Sequence, residues 1–273
     1  MTESTAHPHW VKATARLVPL LAVFSLLGIA GLCAFREVVS VDSLRGANDS
    51  VGNYLQTIGG IYAVLLAFVV FVVWGQFNDS RTYVEREATS LVDLHRTASG
   101  LPPATRDDIQ AALRTYVDEV LAKEWLAMAK RDEDVLEHVG THLDHVWAAI
   151  HACKPCNECQ HTIYSEVLSR FNDLTDMRTS RLTSSRARIP LMMKFLLYIG
   201  ALIVIGSIYL MAVEPFWIHV VMAGALSGAV AHILYLIVDL DNAFSGHLVV
   251  SKEAFERARR TFERATHQFD AAA

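Results

Sequence analysis

The sequence carries no basic excess: 24 Lys and Arg stand against 29 Asp and Glu, for a formal net charge of −5. A nucleic-acid binder presents a basic face, so that class has no support and no nucleic-acid partner is expected. Hydrolytic and phosphate-binding signatures are missing too. There is no G-x-S-x-G, no Walker-type loop and no H-E-x-x-H, which leaves an enzyme without a catalytic residue to name. No run alternates clearly enough to be a strand, and no segment repeats. Charged residues make up only 19% of the chain, against 52% hydrophobic ones, at a mean hydropathy of +0.28. A soluble domain of this length is usually less apolar.

The apolar residues collect near both ends and leave a polar middle. Residues 17–35, 51–77, 195–213 and 215–238 contain no Asp, Glu, Lys or Arg. Each reaches the roughly 18–20 residues that cross a hydrocarbon core of about 30 Å. The expectation is an all-α membrane protein with four transmembrane helices in a 2+2 arrangement. A helical region at 78–194 separates the second from the third, and a tail covers 239–273. The first run exceeds the about 7–15 residues of a signal-peptide core and is read as a retained helix. Of the 24 Lys and Arg, 22 fall on one side if both termini are cytoplasmic; Arg36 and Arg45 are the exceptions. Arg81, Arg86, Arg181, Arg186, Arg188 and Lys194, near helix ends, agree with that orientation. Loop 36–50 and the turn at Glu214-Pro215 then face outward.

The polar middle reads as helices. Val84, Ala88, Leu91, Val92 and His95 form a stripe that extends the second apolar helix, stopped by Gly100-Leu-Pro-Pro. Thr105 with Asp108 suggests the start of the next helix, carrying Ile109, Leu113, Tyr116 and Val120. Another follows Asp132, with Val135, Val139, Leu143, Val146 and Ile150. A last one carries Ile163, Val167, Phe171, Leu174 and Met177, and leads into a basic run at 181–188. In the tail, Ser251 caps a helix whose face is Phe255, Ala258, Phe262, Ala265 and Phe269, with Val250 and Phe255 as a staple. The mixed charge on its other face favours packing on the middle helices over lying on a membrane.

Within the apolar runs, Gly224 and Gly228 have the spacing that lets helices approach closely, inside one chain or between subunits. His232, Asp239 and Asp241 are the polar groups at or near membrane depth in the fourth helix. Such groups point to function, with a helix–helix hydrogen bond as the plainer reading for His232. The second helix offers two faces: Tyr62, Val69, Val73 and Gln76, or Leu65, Phe68, Val72 and Gly75. Either suits a hydrophobic constriction, and either suits lipid.

Three stretches resemble the bacterial bestrophin-like family of membrane proteins. They are YAVLLAFVVFVVWGQFNDSRTYVEREATSLVDLHRTASGLPP at 62–103, YSEVLSRFNDLTDMRTSRL at 164–182 and DLDNAFSGHLVVSKEAF at 239–255. With the four-helix arrangement, the likeness covers nearly the whole chain as a single unit, residues 1–273. The family resembles, more distantly, the bestrophins: pentameric anion channels with cytoplasmic termini and a pore lined by the second helix. Trp74 is similar to the bestrophin pattern at the inner end of that helix. After the fourth helix, bestrophins carry Pro-Phe-Gly and, in animals, an acidic run that clasps calcium. Here Asn242-Ala243-Phe244-Ser245-Gly246 has Ala for Pro and no acidic run, so calcium gating is not carried over. The resemblance implies a homo-oligomeric channel in a bacterial inner membrane, conducting inorganic ions across the lipid bilayer. Candidate pore residues are Tyr62, Leu65, Phe68, Val69, Val72, Gln76, Asn78 and Asp79.

One cluster belongs to no such pattern. Cys153, Cys156 and Cys159 stand at Cys-x-x-Cys-x-x-Cys between His151 and His161, and His138, His142 and His145 precede them on one helix face. In a cytoplasmic region a persistent disulfide is disfavoured. Three thiolates and a His suit tetrahedral zinc; the run also matches part of an iron–sulfur motif, without its fourth Cys. A solvated loop that binds no metal is the alternative. The competing function is therefore a membrane-anchored sensor or scaffold, responsive to metal or redox state, that transports nothing.

Overall fold

A computed structural model describes residues 9–155 and 157–270, with side chains between residues 18 and 265. Lys12, Arg16, Cys156 and Phe269 lie outside the described side chains. The regular elements among the described residues are all helices, with no strand. In order they are α1 (His9–Val38), α2 (Val41–Arg45), α3 (Asn48–Thr97), a 3-10 turn (Ala98–Gly100), α4 (Pro103–Glu119), a π turn (Val120–Glu124), α5 (Trp125–Lys130), α6 (Glu133–Ala152), α7 (Glu158–Arg186), α8 (Leu191–Tyr209), α9 (Phe216–Leu240) and α10 (Glu253–Asp270). The chain divides into two compact units, Met1–Trp74 with Ile189–Asp241, and Gly75–Arg188 with Asn242–Ala273.

The first unit holds the apolar parts of four helices long enough to cross a membrane: Val18–Val38, the start of Asn48–Gly100, Leu191–Tyr209 and Phe216–Leu240. The protein is an integral membrane protein. Small residues join α1 to α9 at close range. A Cβ on Gly28 would lie 2.0 Å from Ser227 Oγ, and one on Gly228 2.6 Å from Ser25 Oγ. The small-residue stripe of α9 thus packs within the chain. The Tyr62 hydroxyl donates to the Leu197 carbonyl of α8 at 2.9 Å, beside Gly200, whose missing side chain leaves room for the Tyr62 ring. The third apolar run was expected to extend to Val213, but α8 ends at Tyr209. The backbone there is held otherwise: Arg36 Nη2 donates to the Met211 carbonyl and the Ala212 N–H donates to Asn48 Oδ1.

The second unit has a packed core that includes Leu91, Leu94, Ile109, Leu113, Val139, Leu174, Phe255 and Phe262. Full burial of each such side chain contributes roughly 1.5–3 kcal/mol. The Asp132 carboxylate caps α6 by accepting from the Val135 N–H, and Asn157 caps α7 by accepting from Gln160 N–H at 2.8 Å. Ser251 Oγ accepts from the Glu253 N–H at the start of α10. The tail helix packs as its stripe requires: Phe255, Ala258 and Phe262 are buried. At Gly246, φ is 108°, a conformation that glycine adopts without steric cost. The preceding turn is closed by Asn242 Oδ1 accepting from the Phe244 N–H.

Two expectations about this region need correction. Thr105 does not open α4, which starts two residues earlier at Pro103. Proline suits that first position, where its fixed φ is helical and its missing N–H has no partner to lose. Arg181 does not lie in a basic run beyond the last helix. The last helix runs on to Arg186, and Arg181 is fully buried.

Candidate functional site

α3 is one helix of 50 residues, and burial separates the two faces of its apolar part. Tyr62, Leu66, Val69 and Val73 are buried against the chain itself. Ile61, Val64, Phe68 and Phe71 are exposed, at 62, 71, 59 and 75%. Leu65 and Val72 are half-buried beside them. Helical periodicity puts Ile61, Val64, Leu65, Phe68, Val72 and Gly75 on one stripe. Gln76 and Asn78 are half-buried and Asp79 exposed, further along the same helix.

The polar groups of the fourth span differ among themselves. His232 is exposed. Asp241 is buried and already used: one oxygen accepts from the Ile189 N–H at 2.6 Å, and the other pairs with Lys194 Nζ at 2.7 Å. Asp239 is also buried. At the other end of α9, His219 is fully buried. Its Nδ1 lies 2.7 Å from Arg36 Nη2 and its Nε2 2.7 Å from the Ile208 carbonyl. Arginine only donates, so this network assigns the acceptor to Nδ1 and the proton to Nε2. Arg36 stood out in the sequence only as an exception to the charge count, and His219 not at all; its place in an apolar helix is the signal that could have marked it.

The second unit buries a charged cluster that periodicity does not reveal. Arg181 Nε donates to Glu87 Oε2 at 2.5 Å, and its Nη2 donates to Glu87 Oε1 at 3.0 Å and Glu124 Oε2 at 2.9 Å. Arg178 pairs with Glu124 Oε1 at 2.8 Å and donates to the Tyr116 hydroxyl at 2.8 Å. That hydroxyl donates to Glu87 Oε1 at 2.5 Å. Two cations and two carboxylates therefore cancel inside the core, across α3, α4, the π turn and α7. Burial opposes the Arg181 charge, but Glu87 and Glu124 hold the guanidinium protonated, well above its ordinary range. Burial pushes the Tyr116 phenol well up, and Glu87 adds to it. The π turn brings Glu124 to this cluster; such turns often mark functional sites.

The cysteine run is only partly described. Cys153 is buried in the core of the second unit. Cys159 is exposed, as are His151 and His161, and the His151 ring stacks on Trp147 at 6.0 Å. Cys156 lies outside the described residues. Among the described residues, the His, Cys, Asp and Glu side chains that converge as a possible metal-binding group are Glu119, His138 and His142, with ligand atoms within 4.8 Å of one another. The two histidines stood out by spacing. Glu119 did not, because it comes from a different helix. Burial lowers the His142 imidazole below its usual range, with Glu119 opposing. Lys123, paired with the Glu119 carboxylate, holds it below the usual carboxylate range.

The family model described as a bestrophin-like domain matches residues 22–255. A substituted variant of a bacterial bestrophin homolog from Klebsiella pneumoniae superposes with a TM-score of 0.66 at 12% identity, covering 90% of this chain and 99% of that one. A second variant of that homolog gives 0.64 at 12% identity, over 94% and 99%. A structure described only as a membrane protein gives 0.60 at 12% identity, over 90% and 97%. A search of curated proteins finds no match. Identities this low speak for the fold alone. The family model covers most of the sequence, and on that ground the chain belongs to the bestrophin-like family.

Proposed function

We propose that the chain is one subunit of an oligomeric ion channel of bestrophin-like type, with the exposed stripe of α3 lining the pore. One observation carries this reading. Tyr62, Val69 and Val73 are consumed inside the subunit, while Phe68 and its neighbours face outward on the same helix. A ring of subunits would bring those stripes together into a narrow apolar throat, which gates by wetting and dewetting. In this reading Leu65, Phe68 and Val72 form the constriction, and Gln76, Asn78 and Asp79 lie toward the inner mouth. Tyr62 and Val69 hold α3 in place. The termini and the region between the second and third spans are cytoplasmic, in a bacterial inner membrane, and the ring is a pentamer. Asp241 adds little to selectivity, since Lys194 neutralises it.

The test is ion flux from proteoliposomes of stated protein content, with chloride, potassium and sodium gradients run separately. Flux that selects one ion, and rises several-fold in Phe68→Ala and Val72→Ala, supports the throat. Val73→Ala, on the buried face, should change stability more than flux. Tight vesicles holding inserted, oligomeric protein would favour the scaffold reading.

A further inference from the structure

We propose that Glu119, His138 and His142 bind one divalent transition-metal ion of the zinc class, in a site that joins the end of α4 to α6. Ligand atoms of the three residues already lie within 4.8 Å of one another. A tetrahedral ion with bonds of about 2.0–2.1 Å needs its ligand atoms about 3.3 Å apart, which small side-chain rotations supply. Two imidazoles with one carboxylate select zinc, cobalt, nickel or copper over magnesium and calcium, which prefer all-oxygen sets.

A second observation points the same way. His142 Nε2 is buried and, among the described residues, has no hydrogen-bond partner. Lys123 Nζ pairs with Glu119 Oε2 at 2.7 Å. A buried imidazole nitrogen without a partner costs free energy, and a cation held between His142 and Glu119 would satisfy it. His138 is exposed and gives the ion a path from solvent. Three protein ligands leave a fourth position for water.

The site is also placed to be felt elsewhere. Glu119 is the last residue of α4 and the π turn follows at once. Lys123 and Glu124 belong to that turn, and Glu124 holds Arg178 and Arg181 in the core. Metal binding would take Glu119 from Lys123 and fasten the turn to α6. The proposal is independent of ion conduction.

The experiment uses full-length protein in detergent, purified without a histidine tag and stripped with a chelator. Zinc is titrated by calorimetry and cobalt by absorption. Expected are one zinc per chain, a melting temperature raised by several degrees at saturation, and a visible tetrahedral cobalt spectrum without thiolate charge-transfer bands. His138→Ala, at an exposed position, should weaken binding at least about 10-fold, and Glu119→Gln with His142→Ala about 100-fold. Replacing Cys153, Cys156 and Cys159 together by Ser should leave the affinity within twofold. Thiolate charge-transfer, loss of binding in the serine variant, or unchanged binding in His138→Ala would each overturn the assignment. So would no zinc bound at a hundredfold excess over protein.

Discussion

The two units of this protein solve opposite problems. The first turns apolar side chains outward, with Phe71, Leu202 and Trp217 among the most exposed. It holds together by close backbone approach and by polar groups that bond to carbonyls, such as Tyr62 to Leu197. The second turns its apolar side chains inward like a soluble domain, and places two Arg and two Glu at the centre. In lipid the hydrophobic effect does not draw helices together, so packing and hydrogen bonds must. In water that effect supplies the drive, and a satisfied charge cluster can be carried in the core. Each unit is therefore most fragile where its own device is cut.

The largest effect is expected at Arg181. Arg181→Met leaves Glu87 and Glu124 in the core with a lost partner, which costs about 3–5 kcal/mol. At about 2–4 °C per kcal/mol for a chain of this size, melting in detergent should fall by roughly ten degrees. Removing a further charge should help: Arg181→Met with Glu87→Leu leaves Glu124 paired with Arg178, so the double variant should melt above the single one. A double variant that melts lower still would mean that the cluster stabilises by more than charge cancellation.

Next in size is a pH effect at His95. This side chain is buried and stacks on Phe262 at 4.3 Å, with its Nε2 unpartnered among the described residues. It lies 18 residues beyond Phe77 on α3, outside the apolar run. Burial, with the nearby Arg114 charge, lowers its pKa from 6.5 to about 4. Between those values the unfolded chain binds the proton and the folded one does not, so stability rises with pH there. The contribution is complete above about pH 6.5 and is lost down to about pH 4, about 3 kcal/mol in all. His95→Phe should flatten the melting profile by that amount over the same window; an unchanged profile would refute the assignment.

The helices and the inward stripes of this fold were legible because periodicity records burial: Leu113, Val139 and Phe255 are core positions by spacing alone. The charge cluster was not. Arg181 follows a run of apolar positions and precedes Arg186 and Arg188, so it looks like the basic end of a helix near a membrane. Only tertiary placement, with Glu87 94 residues away in sequence, distinguishes it. Glu119 was hidden for the same reason: His138 and His142 share a helix face, but their third partner comes from α4. Sequence alone did not separate the two faces of α3, because both are equally apolar; burial separates them, and the proposed pore stripe rests on that.

In the first unit the matching cut is steric. Gly28→Ala would put a methyl 2.0 Å from Ser227 Oγ and 2.6 Å from its Cβ, so α1 and α9 must part. Overpacking of this kind costs about 1–3 kcal/mol. Adding Ser227→Gly removes both clashes, leaving the Ala223 carbonyl at an ordinary 3.4 Å; the pair should recover most of the loss. No recovery would show that α1 and α9 are held by something other than close approach.

The smallest effect belongs to the surface, where neither device operates. Arg186 pairs with Glu133, both about half exposed, joining the end of α7 to the start of α6. The hydrogen bond holds Arg186 above its ordinary range and Glu133 below its own. Water and salt screen such a pair, and ordering two long side chains offsets much of the attraction. Arg186→Gln should therefore melt within error of the wild type at moderate salt, with only a slight difference at low salt. A shift as large as that of Arg181→Met would mean that the fold of the second unit leans on its rim as much as on its buried charges, and the contrast between surface pair and core cluster would fail.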